Sequence, residues 1–316
     1  MNPFTKTRRH SVAAIGEQRL ITEIRRWLGR ASPAAPFGIG DDCAVLPPTK
    51  HHQLVTTDPV IYGQHFDDTV SPRAAGAKLL KRNLSDIAAM GGRPVAAVVS
   101  LALAPETSIR WLEQFYRGVA ATALDYRVKI VGGDITQGPA GFFGAFLTLH
   151  GESSGRRVVT RTGARVGDHL LVTGELGGSR AGHHYKFHPR LAEGRWLAAQ
   201  PEVVAMMDIS DGLAKDIHSV TPRGLVAAVS PEMIPFSRAA RDAAKLSKSP
   251  AWVHALTDGE DFELLVVLKG KSDPVEFVAR WEKQFDLRLS LIGHFRRKLA
   301  QREVNWEVLH GYEHLR

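Results

Sequence analysis

Residues 81–104 read KRNLSDIAAMGGRPVAAVVSLALA, and the change of character at their middle decides the fold class. Up to Met90 the pattern predicts a helix over 73–90, whose small residues Ala74, Ala75, Gly76 and Ala77 permit close packing. Gly91, Gly92 and Pro94 interrupt it. Ala96–Ala104 is then an uncharged apolar run suited to a buried strand. Downstream, Pro105-Glu106 opens a helix with Ile109, Leu112, Tyr116, Val119 and Ala123 on one face. Strands are expected at 128–131, ending at Gly132-Gly133, and at 144–151. Upstream, 16–27 reads as a short amphipathic helix and 53–57 as a strand broken by Asp58-Pro59. Helices and strands alternate, so the class is α/β (α+β).

The second half repeats that alternation. Strands are expected at 169–173, 226–229 and 262–268, and helices near 213–220 and 274–285. At ~150 residues per domain, 316 residues suggest two domains. The polar stretch GESSGRR (151–157) is the expected boundary, giving domains 12–150 and 151–316 behind a basic tail, 1–11. Hydrophobic residues at 44% and charged residues at 23% argue against disorder. The single cysteine, Cys43, excludes an intramolecular disulfide framework and a cysteine zinc cluster. The longest uncharged apolar run, 94–105, is short of a membrane span, and no secretory leader is evident. A soluble, cytoplasmic chain is expected.

The net charge is +8, yet residues 1–30 hold seven Lys/Arg against two acids. The remaining 286 residues carry only +3. The excess belongs to a short leader, which reads as solvated rather than as a nucleic-acid arm. Neither a nucleic-acid nor a membrane partner is expected.

The chemistry lies in acidic residues set in glycine- or serine-rich turns after apolar runs: Asp41-Asp42, Asp58, Asp86, Asp134, Asp208 with Asp211, and Asp258 with Glu260-Asp261. One such turn is an ordinary cap. Six in one chain point to hard divalent cations and phosphate, because magnesium takes a few carboxylate oxygens and completes its shell with water and phosphate. There is no G-x-x-x-x-G-K-[ST] phosphate loop, no complete dinucleotide fingerprint, no protein-kinase signature and no H-E-x-x-H. His183, His184 and His188 match no zinc spacing and read as a solvated loop.

The series GIGDDCAVL (38–46), LVTTD (54–58), GQHF (63–66), KRNLSDIAAMGGRP (81–94), VGGDITQGP (131–139), TRTGARVGDHLLVTGELG (160–177), DISDGLAKDI (208–217), GEDFELL (259–265) and GYEHL (311–315) resembles the thiamine-monophosphate kinase family. That family lies within the wider aminoimidazole-ribonucleotide-synthetase-like superfamily. The resemblance runs from about residue 12 to the end. It implies transfer of the ATP γ-phosphate to thiamine monophosphate, several Mg²⁺ ions, and a homodimer whose N-terminal α/β domains close a barrel. By motif it implies metal ligands Asp42, Thr56, Thr57, Asp58, Asp86, Asp134, Asp208 and Asp211. It also implies nucleotide contacts Gly133, Asp134, Arg161 and Ser210, and substrate contacts His65, Glu260 and Tyr312. No general base is implied, since a phosphate monoester with a second pKa near ~6 is already an anion at neutral pH. Two alternatives stay open: a degenerate nucleotide-binding member without activity, and another ATP-using member of the superfamily. The chain departs from the family pattern at Ile135 and Gln137, where a threonine and an arginine are usual. Asp258 replaces a glycine, Pro59 follows Asp58, and the segment 182–189 is short.

Overall fold

The computed structural model describes residues 1–34, 37–39, 43–155 and 157–298. The chain divides into two compact units, Met1–Ile87 with Arg93–Ser153, and Ala88–Gly92 with the chain from Ser154 onward. Among the described residues, no helix is long and apolar enough to cross a membrane.

The first unit contains α1 (Glu17–Leu28), β1 (Gln53–Ile61), α2 (Pro72–Ala89), β2 (Gly92–Leu103), α3 (Ile109–Asp125), β3 (Lys129–Gln137) and β4 (Phe143–Ser153). Its sheet has the order β1-β4-β2-β3, with β1 antiparallel to β4 and β2 parallel to β3. α2 and α3 cross closely because both contribute glycine. A Cβ on Gly76 would lie 2.0 Å from the Phe115 carbonyl oxygen, and one on Gly118 would lie 2.0 Å from that of Arg73. Phe66, Trp111, Phe115 and Phe143 pack in the same core, with ring centroids 4.7–6.0 Å apart.

Several elements run further than their sequence suggests. β1 continues through Asp58-Pro59 to Ile61, since an edge strand tolerates a missing N–H. β3 continues through Gly132-Gly133 for a steric reason: a Cβ on Gly133 would lie 2.0 Å from the Val99 carbonyl oxygen of its parallel partner. α3 starts only at Ile109, capped by Ser108. The preceding residues pair instead with the N-terminus, through bridges Phe4–Thr107 and Ser11–Ser108. Residues 1–11 are therefore docked rather than loose, with the Trp111 Nε1–H donating 2.8 Å to the Met1 carbonyl. Lys6, Arg8 and Arg9 remain exposed.

The second unit contains β5 (His169–Thr173), α4 (His183–Lys186), α5 (Leu191–Ala199), β6 (Val203–Ile209), α6 (Leu213–Val220) and β7 (Leu225–Val229). These are followed by α7 (Arg238–Ser247), α8 (Ala251–Thr257), β8 (Glu263–Leu268), α9 (Pro274–Glu282) and β9 (Leu289–Arg297). The sheet order is β6-β8-β5-β9-β7, every pair antiparallel. Both of its faces are covered. Leu265 and Val267 of β8 enter one apolar cluster, and Leu264, Val266 and Leu268 enter the other, as period-two alternation requires.

Candidate active site

α2 presents Lys78, Arg82 and Asp86 at a spacing of four, hence along one helical stripe. That stripe faces β1 and the turn after it. Fully buried Lys78 donates from Nζ to the His65 carbonyl at 2.6 Å. Arg82 Nη2 donates to Asp58 Oδ1 at 3.2 Å, and the Thr56 hydroxyl donates to the Asp86 carboxylate at 2.5 Å. Thr56 and Asp58, two residues apart, share this face of the strand. Thr57 alternates away, and its hydroxyl donates to the Leu147 carbonyl of β4 at 3.1 Å. His65 is buried, and its Nδ1 accepts the Ile61 N–H at 3.1 Å, so the imidazole closes the turn that ends β1.

Asp134 stands elsewhere. It is exposed on β3, opposite Ser100 of β2, and with Gly133 lines a cleft of about 1050 Å³. Glu17 and Ile24 of α1 and Tyr116 of α3 form other parts of its wall. β1 and β3 are the two edges of the four-stranded sheet. Three strand spacings, about 14 Å, separate the strands that carry Asp58 and Asp134. Within one chain, Asp58 and Asp134 thus stand at opposite edges of the sheet.

In the second unit the turn after β6 is held from α6. Asp216 is buried, and its Oδ2 accepts the N–H groups of Ser210 and Asp211 at 2.8 and 2.9 Å. Burial pushes the Asp216 carboxyl up to about 7; the negative charges of Asp208 and Asp211 push the same way, against those two N–H bonds. Asp208 is buried, and Asp211 pairs with Lys215 at 2.6 Å. The second acidic turn is tied to the first: the Glu260 N–H donates to the Ser210 carbonyl at 2.7 Å and the Phe262 N–H to that of Ile209 at 2.8 Å. Glu260 and Phe262 sit at φ 55° and 52°, a region non-glycine residues rarely occupy and which concentrates at functional sites. His184 Nδ1 lies 3.5 Å from the Glu260 carboxylate. Arg161 is exposed.

The structure therefore brings together Thr56, Asp58 and Asp86 in one unit, and Ser210, Asp211 and Glu260 in the other. Asp42 and Tyr312 lie outside the described residues. Lys78, Arg82, Asp216 and His184 emerge as additional members of these two groups. For the first three a signal existed: Lys78 and Arg82 precede Asp86 by eight and four, and Asp216 follows the DISDG turn by one helical turn. The donors at Thr56, Asp58, Asp86, Asp208 and Asp211 are all oxygen, which fits a hard cation such as Mg²⁺. Among the described residues, no three His, Cys, Asp or Glu side chains gather closely enough to hold an ion by themselves.

Residues 40–152 match the family model for AIR synthase related protein, N-terminal domain. A thiamine-monophosphate kinase from Rhodopirellula baltica is 36% identical over 248 residues, covering 75% of this chain and 77% of the relative. The thiamine-monophosphate kinase structure from Stenotrophomonas maltophilia K279a superposes with a TM-score of 0.74 at 30% identity, covering 90% of this chain and 95% of that one. The complex of AaThiL with AMPPCP and TMP gives a TM-score of 0.69 at 29% identity, covering 90% and 92%. The chain belongs to the thiamine-monophosphate kinase family.

Proposed function

We propose that this chain transfers the γ-phosphate of ATP to thiamine monophosphate, giving thiamine diphosphate and ADP. The observation that carries the reading is the tie between the two acidic turns, Glu260 N–H to Ser210 carbonyl. It holds Glu260 and Ser210 in neighbouring turns, which supports a reading in which the first meets the cationic thiazolium and the second the nucleotide. The complex of a relative with AMPPCP and TMP supports the same pair of ligands.

Mg²⁺ would be held by Asp42, Thr56, Thr57, Asp58, Asp86, Asp134, Asp208 and Asp211, and would supply neutralisation of two polyphosphate anions. The chain's own residues do the rest. Arg82 cancels the charge of Asp58 on the α2 stripe, and Asp216 fixes the Ser210-Asp211 backbone. Gly133, Asp134, Arg161 and Ser210 contact the nucleotide. His65 shapes the turn at the substrate side, and Glu260 and Tyr312 recognise thiamine. Orientation rather than base catalysis provides the rate, since the attacking phosphate is already ionised.

The functional form is a homodimer through the first units. Val55 and Phe146 leave 69% and 39% of their surface exposed on the four-stranded sheet. Among the described residues, neither edge strand pairs with a further strand, which leaves both available to a second copy. A site that uses both acids would then take Asp58 from one protomer and Asp134 from its partner.

Incubation with Mg²⁺-ATP and thiamine monophosphate, with chromatographic detection of thiamine diphosphate, tests the reading. A second reading, a nucleotide-binding protein without activity, is favoured by Ile135, which lines the cleft where the family has a hydroxyl. Intact nucleotide binding without product would select it.

A further inference from the structure

One short segment makes three successive contacts with the loop that carries Glu260. His183 Nε2 lies 3.0 Å from the Asp261 carbonyl oxygen, His184 Nδ1 lies 3.5 Å from the Glu260 carboxylate, and Phe187 stacks on Phe262 at 4.0 Å between centroids. The loop needs such support, because Glu260 and Phe262 both hold positive φ. Backbone of that kind persists where its surroundings over-determine it. The His184 side chain is 13% exposed and that of Glu260 29%, so the imidazole is shielded while the carboxylate opens outward.

We propose that His184 is a specificity-determining residue, setting the charge that Glu260 presents to a cationic substrate. The proposal rests on the reading of Glu260 as the contact to the thiazolium. Neutral His184 leaves the full carboxylate charge to the ligand. Protonated His184 pairs with Glu260 and competes with the ligand for it. The titratable groups on the elements packed around His184 are Glu260 and Asp261 on the loop before β8 and Arg180 on the 3-10 turn Ser179–Ala181, which packs against α4. Its own helix adds His183, Tyr185 and Lys186; the Tyr185 ring stands edge-on to it at 4.9 Å. Glu260 stands at ion-pair distance. The sequence hides this arrangement, since the histidines precede their partner by more than seventy positions.

The test is steady-state kinetics of the full chain at pH 6 to 8, comparing wild type with His184→Asn. The substrate phosphate itself titrates near ~6, so the quantity read is the variant's KM divided by that of wild type at each pH. Substrate ionisation cancels in that ratio. Protonation of an imidazole rises as pH falls from 8 to 6, and an adjacent carboxylate favours the protonated form. The ratio for thiamine monophosphate should therefore fall by at least about fourfold between pH 8 and pH 6. The ratio for ATP should stay flat. His184→Gln is a second variant with the same expectation should the first fold poorly. Glu260→Gln separates the two readings. If it leaves the thiamine monophosphate KM unchanged, the assignment of Glu260 fails. If it raises that KM while the His184 ratio stays flat, the proposal for His184 is overturned. A ratio that falls equally for ATP also overturns it, because the effect would then belong to the whole loop.

Discussion

Asp86 and Asp261 show how differently two carboxylates in one chain can be used. Asp86 is half-buried and bonded by the Thr56 hydroxyl, with Arg82 four residues back on the same helix. Asparagine has its size and can still accept from Thr56, so Asp86→Asn should fold normally. It would lose one charge from the set proposed to hold Mg²⁺ against phosphate. Turnover at ordinary magnesium should fall by at least about 100-fold, of the order expected when a charge-stabilising group is removed, with an unchanged thermal midpoint. Near wild-type turnover would remove Asp86 from the metal set. Asp261 instead serves the fold. It is buried, its Oδ1 accepts the Gly177 N–H at 2.7 Å, and its Oδ2 has no hydrogen-bond partner among the described residues. Burial holds its carboxyl well above the usual range, with Glu263, Asp258 and Asp216 adding to the shift. A folded-state pKa above the unfolded one means that the folded state binds the proton more tightly. This contribution is present below the unfolded carboxylate range and is lost as pH rises through the folded value. Asp261→Asn mimics the protonated acid and should flatten that loss. Urea unfolding at pH 5 and pH 8 should show a smaller decline in the variant than in wild type. The acids themselves were legible from their turns, but their division of labour was not, because burial depends on residues far away in sequence.

Elements were legible where their pattern was local. The periodicities around Leu20–Leu28 and Ile109–Ala123 correspond to α1 and α3. β9 escaped because its apolar residues are interrupted by Gly293 and His294 before two arginines, and its burial comes from β5 and β7 on either side. Asp258, a departure from the family motif, is absorbed locally. Its φ of −66° requires no glycine, and its carboxylate accepts from the Gly178 N–H at 2.8 Å and meets His254 Nδ1 at 3.0 Å. The helix pair α2–α3 offers the sharpest test at this scale. A methyl on Gly76 would strike the Phe115 carbonyl, a backbone atom that cannot rotate away. Gly76→Ala should cost about 2–4 kcal/mol, the range of severe overpacking. At about 2–4 °C per kcal/mol for a body of this size, the thermal midpoint should drop by several degrees. Gly155→Ala, with nothing within 4 Å of the added methyl, serves as the control. Equal midpoints for the two variants would show that α2 and α3 have room to separate.

At the scale of the molecule, alternating elements made the α/β class legible, whereas the order of strands was hidden. Turn-borne acids look equivalent along a chain, yet Asp58 and Asp134 occupy opposite edges of one sheet. In the proposed homodimer a site using both would draw them from two copies, and mixing can read this. Asp58→Asn and Asp134→Asn homodimers would each carry one defect in every site and should be nearly inactive. Mixing equal amounts under conditions of subunit exchange gives half of all dimers as hybrids. In a hybrid, one site receives both defects and the other receives neither. One quarter of wild-type activity should therefore return, developing with the exchange time and absent when the proteins are mixed without exchange. If the acids worked within one protomer, every site in the hybrid would keep one defect and nothing would be regained. Sedimentation at micromolar concentration supplies the parallel check. A monomer with full activity would require Asp58 and Asp134 to act at separate places, and the shared-site reading would have to be given up.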